Sequence, residues 1–357
     1  MTTEREAVVH LSQIQVAALR DPASYPDRPA RIETIETHFA WVFLTGRYAY
    51  KLKKPLQLKG ADLRTLAARQ QSCVEELRLN RRLAAHTYLR VAPLAERAGR
   101  LVVDGPGEVR DWLVVMRELD RAQMFDARLR GARVAPDDLP RIITNLTEFY
   151  RRQAAERLDP AAYLTQVDAR VAEACRELAR AEFGLPPPAV EELESVIRQA
   201  RQRVTQELAQ RALADRVIES HGDLRAEHVW LGEPLQVIDA MSFERSLRIL
   251  DSAEEIAMLA VDLTHKGFVA PARELLQRYR AAMPDTVSDS LLWFYESLRA
   301  VTRAKVAIWH LDDADLVRDG ARWRARAREF MALAREAAEK SLTAARSAAR
   351  AADGRAP

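Results

Sequence analysis

The sequence predicts an α+β fold, with a small antiparallel β lobe followed by a large helical lobe. Three observations carry this. Residues 31–118 hold short β-branched and aromatic runs separated by turn signals. After residue 120, Ala, Leu, Arg and Glu dominate at helical spacing. A single hairpin pattern, "HVWLGEPLQVIDA", interrupts the helical part. At 357 residues the chain is long enough to bury two lobes.

Residues 4–20 read as an amphipathic helix through Val8, Leu11, Ile14 and Leu19, and "RDPASYPDRPA" breaks it. These residues form an N-terminal segment, 1–30. "RIETIETHFAWVFLTGRYAYKLKK" reads as two or three strands, with Gly46 turning the last two. "ADLRTLAARQQSCVEELRLNRRLAAH" is a helix with Asp62 as its expected N-cap and Val74, Leu77 and Leu83 as its buried stripe. "VAPLAE" and "GRLVVDGPGEVRDWLVVMREL" complete the β part around a Gly-Pro-Gly turn. Residues 119–350 are the helical lobe, in which "GLPPP" at 184–188 separates two helices, and 351–357 are expected to be a disordered tail.

Composition narrows the function classes. The chain is 48% hydrophobic and 30% charged, with no apolar run near the roughly 20 residues of a membrane span. The opening "MTTEREAVVHLSQIQ" does not read as a secretory signal. Cys73 and Cys175 make no disulfide framework, so a cytoplasmic setting is expected. A net charge of +3 with interspersed signs argues against nucleic acid as a partner. The Arg-rich "RWRARARE" reads as a solvated helix face. The oligomeric state is not legible.

The chemistry concentrates in "HGDLRAEH", residues 221–228, and in Val237-Ile-Asp239 beyond the hairpin. Asp223 lies in a polar loop before one strand, and Asp239 ends the other. Phosphoryl transfer needs such a pair: one carboxylate orients a hydroxyl and takes its proton, and the other holds metal on the nucleotide phosphates.

These residues resemble the aminoglycoside phosphotransferase family, within the protein-kinase-like fold. The family carries a His-Gly-Asp loop, a metal-binding side chain five residues after that Asp, and a second Asp after a hairpin. Asp223, His228 and Asp239 stand at those places. The chain is most similar to a bacterial branch sometimes fused to a P-loop ATP-binding domain, although no Walker-type loop occurs in it. The likeness spans about residues 10–320 and implies a two-lobed fold.

The resemblance also gives a reading of "YAYKLKKPL". Only seven residues of the chain are lysine, and four of them lie between 51 and 59. In kinase-like folds a strand lysine holds the α- and β-phosphates and a helix glutamate holds the lysine. Strand alternation puts Ala49, Lys51 and Lys53 on one face. Ala49 then leaves room for adenine, and Lys51 is the phosphate ligand. Lys53, Lys54 and Lys59 are expected on a solvated rim. Glu76 is the preferred partner of Lys51, with Glu75 the rival. Backbone groups from Met116 to Leu119 would meet the base. Arg225 would neutralise the γ-phosphate beside the catalytic Asp223. Asp239 and His228 would hold Mg2+ or Mn2+. His228 stands where the family has Asn, and imidazole is an unusual magnesium ligand.

Glu255 matches the acidic residue that braces the catalytic loop, with Asp251 the runner-up. Asp312, Asp313, Asp315 and Asp319 form an acidic run suited to a cationic acceptor or to a solvated helix start. Trp309 and Trp323 read as core. The expected activity is transfer of the γ-phosphate of ATP, or of another nucleoside triphosphate, to a small-molecule alcohol or aminosugar. A nucleotide-binding regulator without transferase activity and a kinase acting on protein hydroxyls are the alternatives.

Overall fold

A computed structural model describes residues 13–58, 61–283, 287–311 and 319–352. Contact density divides the chain into two units: Met1–Val134 with Glu227–Leu247, and Ala135–Ala226 with Arg248–Pro357. The hairpin therefore groups with the β-rich unit, although in sequence it interrupts the helices.

The first unit is built on a six-stranded antiparallel sheet. Its strands are β1 (Glu33–Glu36), β2 (Ala40–Leu44), β3 (Tyr48–Lys53), β4 (Tyr88–Arg97), β5 (Arg100–Val103) and β6 (Glu108–Arg117), with helix α1 (Leu66–Ala84) between β3 and β4. The spatial order is β1-β2-β3-β6-β4-β5. Gly46, with φ at 84°, makes the β2–β3 turn in a region that favours glycine. Lys51 pairs with Val42 on one side and Val114 on the other, so it sits mid-sheet. The pleat sends Tyr50 and Leu52 into one core with Val16, Leu19, Tyr25 and Phe43. The opposite face is covered by α1 through Cys73 and Ala84, packed with Tyr88 and Val114.

Two details of α1 differ from expectation. Its N-cap is Thr65, whose hydroxyl accepts from Ala68 N–H, while Asp62 accepts from Arg64. Its buried stripe runs through Arg69, Cys73, Glu76, Asn80 and Leu83, and Val74 is exposed. The stripe is rich in polar residues because this face meets the lysines and the hairpin.

The second unit is helical: α2 (Asp138–Arg152), α3 (Pro160–Leu178), α4 (Pro187–Arg203), α5 (Thr205–Leu213), α6 (Ser252–His265), α7 (Val269–Ala282), α8 (Asp289–Trp309) and α9 (Gly320–Ala352). Gly184, with φ at 66°, lies in the break between α3 and α4. A two-stranded ribbon, Val217–Glu219 against Ile249–Asp251, leads into the His221 loop and into α6. Helix α6 is buried from Ser252 to Leu263, apolar and acidic residues alike. Among the described residues no helix is long and apolar enough to cross a membrane.

Candidate active site

In the first unit, Lys51 Nζ donates to Glu76 Oε1 at 2.9 Å and to Asp239 Oδ1 at 3.1 Å. Glu76 is the partner because the α1 stripe turns it inward, whereas Glu75 pairs with Arg78 on the surface. Burial alone would push the Lys51 ammonium down, but Asp239 and Glu76 outweigh it and hold its pKa well above the ordinary lysine value. Burial likewise opposes ionised Glu76, and Lys51 and Lys53 reverse the effect and keep its pKa low.

Lys53 is not a rim residue. Its side chain is 2% exposed and donates to Glu76 Oε2 at 2.5 Å. It lies on the Lys51 face and therefore points toward α1, where a buried ammonium needs a carboxylate. Lys54 points the other way and pairs with Glu36 at 2.6 Å. Lys59 lies outside the described residues.

The hairpin Val229–Trp230 with Gln236–Val237 is tied to the same helix and sheet. Asp239 N–H donates to the Tyr88 hydroxyl at 3.2 Å, and Ala240 N–H donates to Asn80 Oδ1 at 2.8 Å. These two bonds fix Asp239 in a left-handed backbone conformation, with φ at 63°, which Asp tolerates better than most residues. His228 Nε2 lies 3.7 Å from Asp239 Oδ2. Among the described residues no group of three or more His, Cys, Asp or Glu side chains could hold a metal ion. A half-exposed carboxylate beside one imidazole still suits a cation that keeps waters and phosphate oxygens as its other ligands.

Ala49 is buried and pairs with Met116 across the β3–β6 ladder. Beyond it Arg117 N–H donates to Thr87 O and Glu118 N–H to Arg47 O, so these two amides are already used.

The second unit holds the His221 loop. Leu224 and Ala226 are fully buried, and this alternation leaves Asp223 and Arg225 on the accessible side. Gly222, with φ at 87°, makes the bend. Its N–H donates to Glu255 Oε1 at 2.7 Å, and Ala226 N–H donates to Asp262 Oδ2 at 2.9 Å. Glu255 and Asp262 are seven residues apart, two turns of α6, and so face the loop together. Asp251, the other candidate brace, instead caps α6 and pairs with Arg211 and Tyr295. Asp223 is flanked by Arg225 at 3.1 Å and Arg303 at 3.5 Å.

Sequence reasoning missed Lys53, Tyr88 and Asn80, which contact the candidate residues in the first unit, and Asp262 and Arg303, which contact those in the second. Only Asp262 carried a local signal, its helical spacing from Glu255. Asp312, Asp313 and Asp315 lie outside the described residues, and Asp319 pairs with Arg322. Trp309 and Trp323 are half-buried; Trp323 stacks on His310 with ring centroids 3.9 Å apart.

No protein-family profile matches the chain. Uncharacterized proteins of Mycobacterium tuberculosis and Mycobacterium bovis are 32% identical over 279 residues, which is 77% of this chain and 54% of theirs. The chain thus spans about half the length of these curated relatives. A choline/ethanolamine kinase family protein from Mesorhizobium loti aligns with TM-score 0.50 and 14% identity, covering 94% of this chain and 99% of that one. An aminoglycoside phosphotransferase in complex with GDP and kanamycin aligns at TM-score 0.48 and 15% identity, over 84% and 93% of the two chains. The fold assignment rests on the first of these two structures. The chain has the α+β protein-kinase-like fold, a curled antiparallel sheet with a large helical part, as the sequence predicts.

Proposed function

We propose that this chain is a phosphotransferase that moves the γ-phosphate of ATP, or of another nucleoside triphosphate, to an alcohol on a small molecule. The observation that carries the reading is Lys51 held between Glu76 and Asp239 on a central strand. An ammonium kept charged in this way supplies a point charge for the α- and β-phosphates. Ala49 leaves space for the base, and Leu119 offers the next backbone amide after the two used by Arg117 and Glu118. Asp239 and His228 would hold Mg2+ or Mn2+, which would offset phosphate charge when bound. Asp223 takes the acceptor proton as the acceptor oxygen bonds to the γ-phosphorus. The bond from that phosphorus to the β-phosphate oxygen breaks, and the nucleoside diphosphate leaves. Arg225 offsets charge on the transferring group. Glu255 and Asp262 hold the loop that carries both residues, so catalysis is mostly positioning. The name of the fold neighbour, a choline/ethanolamine kinase family protein, agrees with an alcohol acceptor.

The test is nucleoside diphosphate release from ATP and GTP over a panel of alcohols, with magnesium and with manganese. Release should depend on the alcohol and disappear in Lys51→Met. Nucleotide binding without acceptor-dependent release would favour a regulator, the reading that His228 in place of Asn supports. His228→Asn should move metal preference from manganese toward magnesium, and an unchanged metal profile would take the imidazole away from the ion.

A further inference from the structure

The bend in front of Asp223 is made at Gly222, a residue whose own backbone does little to hold one shape. The peptide that joins Gly222 to Asp223 sets where the Asp223 carboxylate points. Both polar groups of Gly222 are tied to buried side chains of the second unit. Its N–H donates to Glu255 Oε1 at 2.7 Å, and its C=O accepts from Arg299 Nη2 at 3.3 Å.

Arg299 lies on α8 and its side chain is 8% exposed. Its Nη1 donates to Glu254 Oε1 at 3.2 Å, and its Nη2 also lies 3.4 Å from Met258 Sδ. Glu254 and Met258 are one turn apart on α6 and share a face, while Glu255 is turned about 100° from Glu254. Two adjacent acids of one helix thus act on the same glycine, Glu255 directly and Glu254 through Arg299. Along α8 the next turn carries Arg303, 3.5 Å from Asp223 Oδ1. One face of α8 therefore reaches both the carbonyl before Asp223 and the Asp223 carboxylate.

Charge pairing alone does not account for Arg299. Glu254 is fully buried, and Arg170 on α3 already takes both of its oxygens, at 2.8 and 2.9 Å. Burial opposes ionised Glu254, and Arg170 and Arg299 reverse the effect and keep its pKa low. A second buried guanidinium on this carboxylate costs desolvation. Its Nε is buried and, among the described residues, makes no hydrogen bond. What Arg299 does that Arg170 does not is hold the Gly222 carbonyl.

Resting on the phosphotransferase reading, we infer that Arg299 is a positioning residue for Asp223. It fixes the Gly222–Asp223 peptide by its carbonyl, so that the carboxylate meets the acceptor hydroxyl in one orientation. Arg299 acts through this peptide and not on the acceptor or the phosphate.

Arg299→Met and Arg170→Met test this as a matched pair, because each removes one of the two partners of Glu254 and only the first touches the loop. The Gly-Asp dipeptide occurs once in the sequence, at 222–223. Labelling the full chain with carbonyl-13C glycine and 15N aspartate therefore gives one correlated NMR resonance, from this peptide. Tm, affinity for ADP and the single-turnover transfer rate are measured beside it. Both variants should lower Tm. Only Arg299→Met should move the resonance, and only there should transfer fall, by about tenfold or more, within the ~100-fold that a 1 Å misplacement can cost. ADP affinity should stay near wild type in both. Arg299→Lys, which keeps the charge and one contact, should lie between Arg299→Met and wild type, and it carries the comparison if Arg299→Met does not fold. An unmoved resonance, a moved resonance with wild-type transfer, or equal transfer losses in the matched pair would overturn the inference. Absence of acceptor-dependent transfer in wild type would instead overturn the phosphotransferase reading, and the resonance would then decide by itself whether Arg299 holds the loop.

Discussion

Replacing Lys53 by Met probes the charge cluster most sharply. Lys53 and Glu76 side chains are each 2% exposed and 2.5 Å apart. Surface pairs contribute about 0–1 kcal/mol, but removing one member of a buried pair costs about 3–5 kcal/mol because the other charge is left uncompensated. Lys51 still holds the other oxygen of Glu76 at 2.9 Å, so the lower end applies, about 3 kcal/mol. At about 2.1 cal/mol/K per residue, a chain of 357 residues has an unfolding entropy of about 0.75 kcal/mol/K, so the expected fall in Tm is about 4 °C. Thermal and urea denaturation followed by circular dichroism would measure it. The double variant Lys53→Met with Glu76→Gln should recover part of the loss, because the orphaned charge is gone. A loss below about 1 kcal/mol would mean that Lys53 behaves as a solvated residue and that the buried Lys53–Glu76 pair is misread.

Glu76→Gln should weaken nucleotide use about tenfold or more, while Glu75→Gln on the exposed side of α1 should stay within about 0.5 kcal/mol of wild type in stability; equal effects would remove the distinction between the two. The low pKa of Glu76 also sets a pH dependence. A carboxylate whose folded pKa is depressed contributes stability above its unfolded value, about 4.3, and loses it as pH falls through the folded one. Lys51, raised in the folded state, contributes stability that is complete below about pH 10.4 and lost only as pH climbs past that. The cluster should therefore leave stability flat from about pH 6 to 9, and acid denaturation should begin at higher pH in Lys53→Met than in wild type.

Much of this was legible in the sequence because it rests on short-range periodicity. Strand alternation from 48 to 53 put Lys51 opposite Leu52, and the sheet keeps that order. Glu255 came instead from the resemblance of the segment after Asp251 to the family's brace segment, and Gly222 N–H bonds to it. What was not legible depends on long-range pairing. Lys53 looked like one more charge in a basic run, since its burial is decided by a glutamate 23 residues away on α1. Tyr88 and Asn80 carry no motif; they matter because the hairpin, about 150 residues later, groups with their unit and lays Asp239 and Ala240 against them. Arg303 sat among many helix arginines, and only its pairing with Asp223, eighty residues away in the chain, separates it from the solvated ones.

The central claim is that Asp223 takes the acceptor proton during phosphoryl transfer. Its most direct test is one single-turnover comparison of wild type and Asp223→Asn, both saturated with nucleotide and with the best acceptor found. Asparagine preserves shape and a hydrogen-bonding oxygen but cannot take the proton. Nucleotide affinity should stay near the wild-type value while the transfer rate falls ~100-fold or more, the usual scale for loss of a general base. Transfer at the wild-type rate in Asp223→Asn would contradict the account and remove this residue from the chemistry.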